Sequence, residues 1–389
     1  MRLRSWVGAL LFCVVLVGLV MSPAAAAVEP EPEPSFDMDT YRATVLEVSE
    51  DEAVESYFGE AAAIQRVRVR IDAGPWEGEH ELENHLTGNP AYDLRVAPGD
   101  RVMVGGSEYG GRSELFIVDF VRDVPLLYLV GIFAASLIII GGLRGIKTLL
   151  VLGLTGIAVL YLLIPALLAG WSPIVTTVAI SGIVVTVSLS IITGFTTKTL
   201  SAVIGTVAGV LFAGILAGVF GESAHLLGLH TQEAQLLMFT TEQTFDFRGL
   251  LFAGMILGAL GAVMDVSISI ASAVEEVYRA GGDRSVASLA RAGLNVGRDV
   301  LGTMSNTLIL AYTGSALPLL LLLMAHRADL VGVANMDIIA TEVVRALSGS
   351  VGLVLCVPVT AFAAAYFKGN QAVRRDSKVP RSRGPSRSR

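Results

Sequence analysis

Seven stretches of the chain, at about 124–142, 147–169, 173–193, 199–221, 248–270, 300–324 and 343–367, are apolar and almost free of charge. About twenty residues at 1.5 Å rise per residue cross the ~30 Å hydrocarbon layer of a bilayer. Inside that layer every backbone N–H and C=O must be bonded within its own segment, so such runs fold as helices. The sequence therefore predicts a mainly α, polytopic membrane helix bundle of about seven spans, with residues 124–367 as its body. Composition points the same way. With 53% hydrophobic and only 16% charged residues, a 389-residue chain cannot cover a soluble surface. That excludes a plain cytosolic globular enzyme.

Charge is segregated. Residues 29–123 carry 22 acidic and 8 basic side chains, a net of −14, and the rest carries 20 basic and 13 acidic, a net of +7. The last 22 residues hold 8 basic and 1 acidic. An acidic segment and a basic tail are expected on opposite sides of a membrane. No aromatic-interleaved basic patch accompanies the tail, so nucleic acid is not an expected partner. Both cysteines, Cys13 and Cys356, lie in apolar runs, and no disulfide is expected in the acidic segment.

Residues 1–27 read as a signal peptide or, if uncleaved, an anchor helix. Arg2 and Arg4 precede an apolar core, and Pro23 and Ala24–Ala27 follow it. Residues 28–35 are an extended acidic, Pro-rich linker. Residues 36–123 read as a small extracytoplasmic β domain, barrel-like and OB-like, with strands expected at 41–48, 65–71, 78–86, 100–104 and 114–121. In Gln65–Ile71 the valines and isoleucine take one face and Arg66, Arg68 and Arg70 the other. That arginine row is expected to pair with the domain's many carboxylates. Residues 368–389 are expected to be a disordered cytoplasmic tail able to meet anionic lipid.

Arg144, Lys147, Lys198, Arg279, Arg284, Arg291 and Arg298 fall in or beside alternate loops, all on the side of the basic tail. Positive-inside reasoning makes that side cytoplasmic and residues 28–123 extracytoplasmic, in a multi-pass membrane protein. The stretch 271–299 is expected to continue from the fifth span as one helix to the Gly281–Gly282 stop and then form a second, amphipathic helix with Val286, Leu289 and Leu294 on its apolar side, either a coupling element along the inner membrane surface or a structural elbow. The pairs Gly141/Gly145, Gly205/Gly209, Gly214/Gly218 and Gly254/Gly258 have the small-xxx-small spacing of tight helix packing.

Three segments carry a family pattern: Gly261–Ser272 (GAVMDVSISIAS), Ser305–Leu323 and Thr341–Ala361. Together they resemble the YibE/F-like family of bacterial multipass membrane proteins, over roughly 124–367. The resemblance implies the architecture and adds no catalytic residues.

Ionisable residues inside spans are costly and are functional candidates for that reason. Asp265 and Asn306, with Thr303 and Ser269 one turn away, are expected to form one polar or ion-binding site between the fifth and sixth spans. Glu342 and Arg345, three residues apart, are expected to make an outer-face ion pair. Pro318 and Pro358 are expected to kink the sixth and seventh spans. The x₄ spacing of His225 and His230 misses the favoured i, i+4 face, so no metal is expected. Glu275-Glu276-Val-Tyr-Arg279 is one residue short of the Glu-Glu-x₃-Arg pattern of membrane CAAX-type proteases and lacks histidine partners. No Walker A sequence is present. The expectation is a non-enzyme without cofactor, seated in the lipid bilayer: a transporter or channel-like permease. The rival reading is a non-transporting assembly or signalling subunit that docks a partner protein through the β domain.

Overall fold

The structure is a computed structural model describing residues 39–50, 54–55, 61–89, 91–109, 112–240, 245–281, 283–325 and 329–376. The signal segment 1–27, the linker 28–35 and the tail from 377 onward lie outside the described residues. The chain divides into two compact units, 24–136 and the helical remainder.

The first unit is a curled antiparallel sheet. Its strands are β1 (Asp39–Glu50), β2 (Val54–Glu55), β3 (Ala61–Ile71), β4 (Gly78–Leu86), β5 (Arg101–Tyr109) and β6 (Arg112–Phe120). They are ordered β4–β3–β1–β5–β6, with the short β2 also on β3. This is the strand order of an OB barrel. The two strands that would close such a barrel, β4 and β6, are not paired, so the sheet is a half-barrel. Irregular register at Val45/Glu47 in β1 and at Met103/Val104 in β5 supplies local bends. Period-two patterning fills the concave side: Val45, Val67, Val69, Ile71, Leu82, Val102 and Val104 are buried together. On the other face of β3, Arg66 and Arg70 stand directly opposite Glu83 and Glu79. Their ion pairs measure 3.9 and 3.5 Å, and Arg68 meets Glu47 at 2.5 Å. The arginine row is thus a cross-strand charge ladder. Each exposed pair contributes at most about 1 kcal/mol.

One loop of this unit is built on a carboxylate. Asp93 accepts hydrogen bonds from Thr87 N at 2.6 Å, Thr87 Oγ1 at 2.8 Å and Gly88 N at 2.8 Å. Desolvation opposes ionisation, but these donors and the charge of Arg95 outweigh it and hold the carboxyl below its ordinary value. A depressed folded-state pKa stabilises at pH above the unfolded value, about 4, and that contribution is lost as pH falls through the folded value. Residues 36–123, expressed alone, are expected to give a soluble, mainly β monomer. Its urea midpoint should drop below about pH 4, and Asp93→Asn should shrink that drop. A disordered circular-dichroism spectrum at neutral pH, or an unchanged acid limb in the variant, contradicts this.

The second unit is helical. The helices of the chain are α1 (Asp123–Gly141), most of which belongs to the first unit, α2 (Leu143–Leu168), α3 (Pro173–Thr193), α4 (Thr197–Ser223), α5 (Gln232–Thr240), α6 (Phe247–Arg279), α7 (Val286–Ser315), α8 (Leu317–Ala325), α9 (Leu330–Ala334) and α10 (Asp337–Asp376). Among the described residues six helices are long and apolar enough to cross a membrane, or seven if α7 and α8 count as one bent span. Local sequence explains the boundaries. Thr196 accepts from Thr199 N, Asp246 from Gly249 N and Ser285 from Ser288 N, capping α4, α6 and α7. In α2 a π turn at Val159–Leu163 precedes Pro165, which has no N–H to return to the carbonyl four residues back. The core forms where α4, α6, α7 and α10 meet. Val263, Val266, Ile270, Leu353, Cys356 and Ala361 are almost fully buried there. α1 buries no residue.

In the stretch 271–299 both expected helices are present, and the second packs into the bundle. α6 runs on to Arg279, and a single helix continues from Val286 into the membrane part of α7. Leu289, Ala290, Gly293 and Gly297 are buried in the bundle, because the small residues let α7 approach Ala361 and Val357 of α10. The sixth span, in which a kink is expected, bends by 62° between α7 and α8. The bend falls at Ala316, and Pro318 sits in the first turn of α8, where its missing N–H costs nothing. The last helix does not stop at 367. It passes unbroken through Pro358 and reaches Asp376.

Candidate functional site: the polar seam of α10

Glu342, Arg345, Gly349, Gly352, Cys356 and Thr360 recur every three or four residues along α10, so they share one face of that helix. That face meets α4, α6 and α7, and it is charged at the Asp337 end. Arg345 Nη1 donates to Glu342 Oε1 at 2.6 Å, with the two side chains 25% and 21% exposed. Glu342 Oε2 is buried with no hydrogen-bond partner. One turn along, Tyr312 of α7 brings its hydroxyl into a notch between two glycines. A Cβ on Gly258 of α6 would lie 2.9 Å from Tyr312 Oη, and one on Gly349 3.8 Å from it. Tyr312 Oη has no hydrogen-bond partner either, and the charges of Arg345 and Glu342 both reach it. Thr341 Oγ1 and Ser350 Oγ nearby on α10 are also buried and unpaired. A carboxylate oxygen without a donor is chemically open to a proton, a cation or a ligand's donor.

Midway the seam is tightly closed. Thr360 Oγ1 donates to Cys356 O at 2.7 Å and lies 3.3 Å from Ser267 Oγ of α6. Gly209 of α4 and Gly352 of α10 approach backbone to backbone, and Gly205 of α4 lies against the Thr360 side chain. At the far end, beside the turn between α6 and α7, a second ionic group appears. Lys368 Nζ of α10 lies 3.2 Å from Glu275 Oε1 of α6, with side chains only 11% and 12% exposed. Arg279 Nη2 donates to the same oxygen at 2.8 Å. Lys368 and Arg284 lie 5.7 and 5.1 Å from the Tyr278 ring centroid. Sequence reading missed Tyr312 and Lys368. Tyr312 stands in an ordinary apolar run, and Lys368 looks like the first residue of the tail. The useful signal is the phase of α10 extended beyond 367, which puts Lys368 two turns past Thr360 on the same face.

The residues expected to form a site between the fifth and sixth spans are placed differently. Asp265, Ser269, Thr303 and Asn306 are all exposed on the flanks of α6 and α7. Ser269 Oγ donates to its own helix at Asp265 O, 2.8 Å, and Thr303 Oγ1 to Val300 O, 2.9 Å. Gly297 packs at Ile270 and Gly258 at Tyr312. Counting between those contacts puts Asp265 level with Thr303, and Asn306 about a turn beyond. Within the chain no hydrogen bond joins the Asp265 carboxylate to Asn306. Among the described residues no group of three or more His, Cys, Asp and Glu side chains is gathered for a metal.

The protein family described as YibE/F-like protein matches the chain over residues 129–370. No curated protein and no solved structure matches it.

Proposed function

This chain belongs to the YibE/F-like family, and from that starting point we propose that it is a transporter or channel-like permease of the bacterial plasma membrane. The observation that carries the reading is the α10 seam. Buried charge is costly in a membrane protein and persists where it handles ions or substrate. Here charged groups sit at both ends of one helix face and a packed segment separates them. In this reading Glu342 and Tyr312 receive the permeant species from outside, and the Gly205–Thr360–Ser267 contact is the closed barrier. The Lys368–Glu275 pair holds the inner end. Positive-inside reasoning orients the bundle with the α6–α7 turn and the C-terminus in the cytoplasm and the half-barrel outside. Reporter fusions at Gly105 and Gln371 are expected to report opposite compartments, and the same compartment for both refutes the orientation.

Proteoliposomes carrying the full chain test the activity. With a pH-sensitive dye inside, or radioactive sodium outside, an imposed gradient is expected to drive flux that Glu342→Gln and Tyr312→Phe reduce at least about tenfold, the weight of one buried charge-assisted contact. No flux above empty liposomes for protons, sodium or small organic solutes favours the second reading. The observation behind that one is the packing of the seam's middle, which suits a rigid membrane subunit recruiting a partner through the half-barrel.

A further inference from the structure

On the flank of α7 away from the seam, Arg291, Asn295 and Arg298 follow one another at i, i+4 and i+7, so all three lie along one face. They line a groove of about 380 Å³ between α7 and α10, whose apolar wall includes Leu294 and Phe362. All three polar side chains are exposed, and among the described residues neither arginine has a carboxylate partner, although ion pairs hold the nearby Arg279 and Lys368. Above Asp299 the next residues of α7, from Val300 to Ser315, are free of charge. Arg298 therefore sits at the level where the apolar span gives way to charged chain. From Phe362 an exposed apolar stripe continues up α10 through Val354 and Val351 toward the membrane interior.

We propose that this groove binds one anionic phospholipid, its phosphate held by Arg291 and Arg298 and an acyl chain laid along the Phe362–Val351 stripe. The chemistry selects this occupant. Two unpaired guanidinium forks present paired N–H donors to phosphate oxygens, which a zwitterionic headgroup's ammonium would oppose. The Asn295 amide adds a donor or acceptor for the headgroup's polar end. The apolar stripe beside the arginines gives no contact to a soluble phosphate and does give one to an acyl chain. Basic pockets between spans at this level recognise anionic headgroups by the same physics. The site is separate from the basic tail, which begins beyond it.

Native mass spectrometry of the full chain in detergent, titrated with phosphatidylglycerol or phosphatidylcholine, tests the assignment. One phosphatidylglycerol adduct is expected in preference to phosphatidylcholine. Arg291→Gln with Arg298→Gln is expected to weaken it about thirtyfold, about 1 kcal/mol per arginine. Arg291→Lys with Arg298→Lys should fall between, keeping charge but losing the fork, and it serves if the glutamine pair folds poorly. Arg374→Gln with Arg375→Gln should leave binding unchanged. Equal binding in the wild type and in both paired variants of Arg291 and Arg298 overturns the proposal. So does dependence on Arg374 and Arg375 alone. Displacement of the lipid by millimolar inorganic phosphate, with the same arginine dependence, reassigns the groove to a soluble phosphate and overturns the lipid.

Discussion

Glu275→Leu is expected to destabilise the helical unit by about 3–5 kcal/mol, the range found when one partner of a buried ion pair is removed. The reason lies in what remains. Lys368 keeps a side chain that is 11% exposed, with its charge 5.7 Å from the Tyr278 ring centroid and the guanidinium of Arg279 left beside it. Lys368→Met is expected to cost less. Glu275 would still pair with Arg279, which is 66% exposed and keeps its carboxylate partly solvated through a surface contact. Combining Glu275→Leu with Lys368→Met should recover most of the loss, since two apolar side chains of similar volume replace a pair that was costly to desolvate. Thermal midpoints in detergent for the two single variants and the double variant measure the cycle. A wild-type midpoint for Glu275→Leu, or a double variant as poor as the worse single, contradicts the buried pair. The same cycle bears on function, because this is the only charged contact among the described residues between α6 and the end of α10. If α10 moves during transport, weakening it should change flux more than it changes stability.

Much of the architecture was legible because it rests on period and length. Apolar runs of about twenty residues give spans, and the alternation at Gln65–Ile71 gives a half-buried strand whose charges face outward. What was not legible depends on which faces meet. The stretch 283–298 has an amphipathic pattern that suits either a membrane surface or a bundle. Gly293 and Gly297, against Ala361 and Val357, decide for the bundle, and their partners are some sixty residues away in sequence. Asp265 drew attention as a lone carboxylate in a span, yet helix phase turns it outward, while Glu342, close to a helix start, has an oxygen buried without a partner. Burial of a charge is a property of three helices together and no single segment encodes it. The same holds for Tyr312, whose hydroxyl matters only because two distant glycines make room for it.

The glycine pairs show the limit most plainly and supply the second large effect. Spacing alone treats Gly205/Gly209 and Gly254/Gly258 alike. In the structure a Cβ on Gly209 would fall 2.7 Å from Val263 Cγ1, 2.8 Å from Cys356 Cβ and 2.9 Å from Gly352 O. A Cβ on Gly352 would fall 2.6 Å from Gly209 O. A Cβ on Gly254 would meet nothing within 4 Å. Gly209→Ala and Gly352→Ala must each push α4 and α10 apart, and overpacking of this kind costs about 1–3 kcal/mol. Gly254→Ala should be neutral or gain up to about 1 kcal/mol from helix propensity. Gly209 and Gly352 face each other, so the double alanine variant should lose less than the sum of the singles, because one displacement of the two helices relieves both clashes. Gly209→Leu, with no space for its branch, is expected to yield no folded protein. Detergent melting curves of the three alanine variants and the double variant check the order. Equal tolerance at Gly209 and Gly254 means that α4 and α10 do not touch backbone to backbone, and the closed middle of the seam goes with it. If the order holds, alanine at Gly209 should also open the seam, so flux that rises as stability falls is the outcome expected of a barrier.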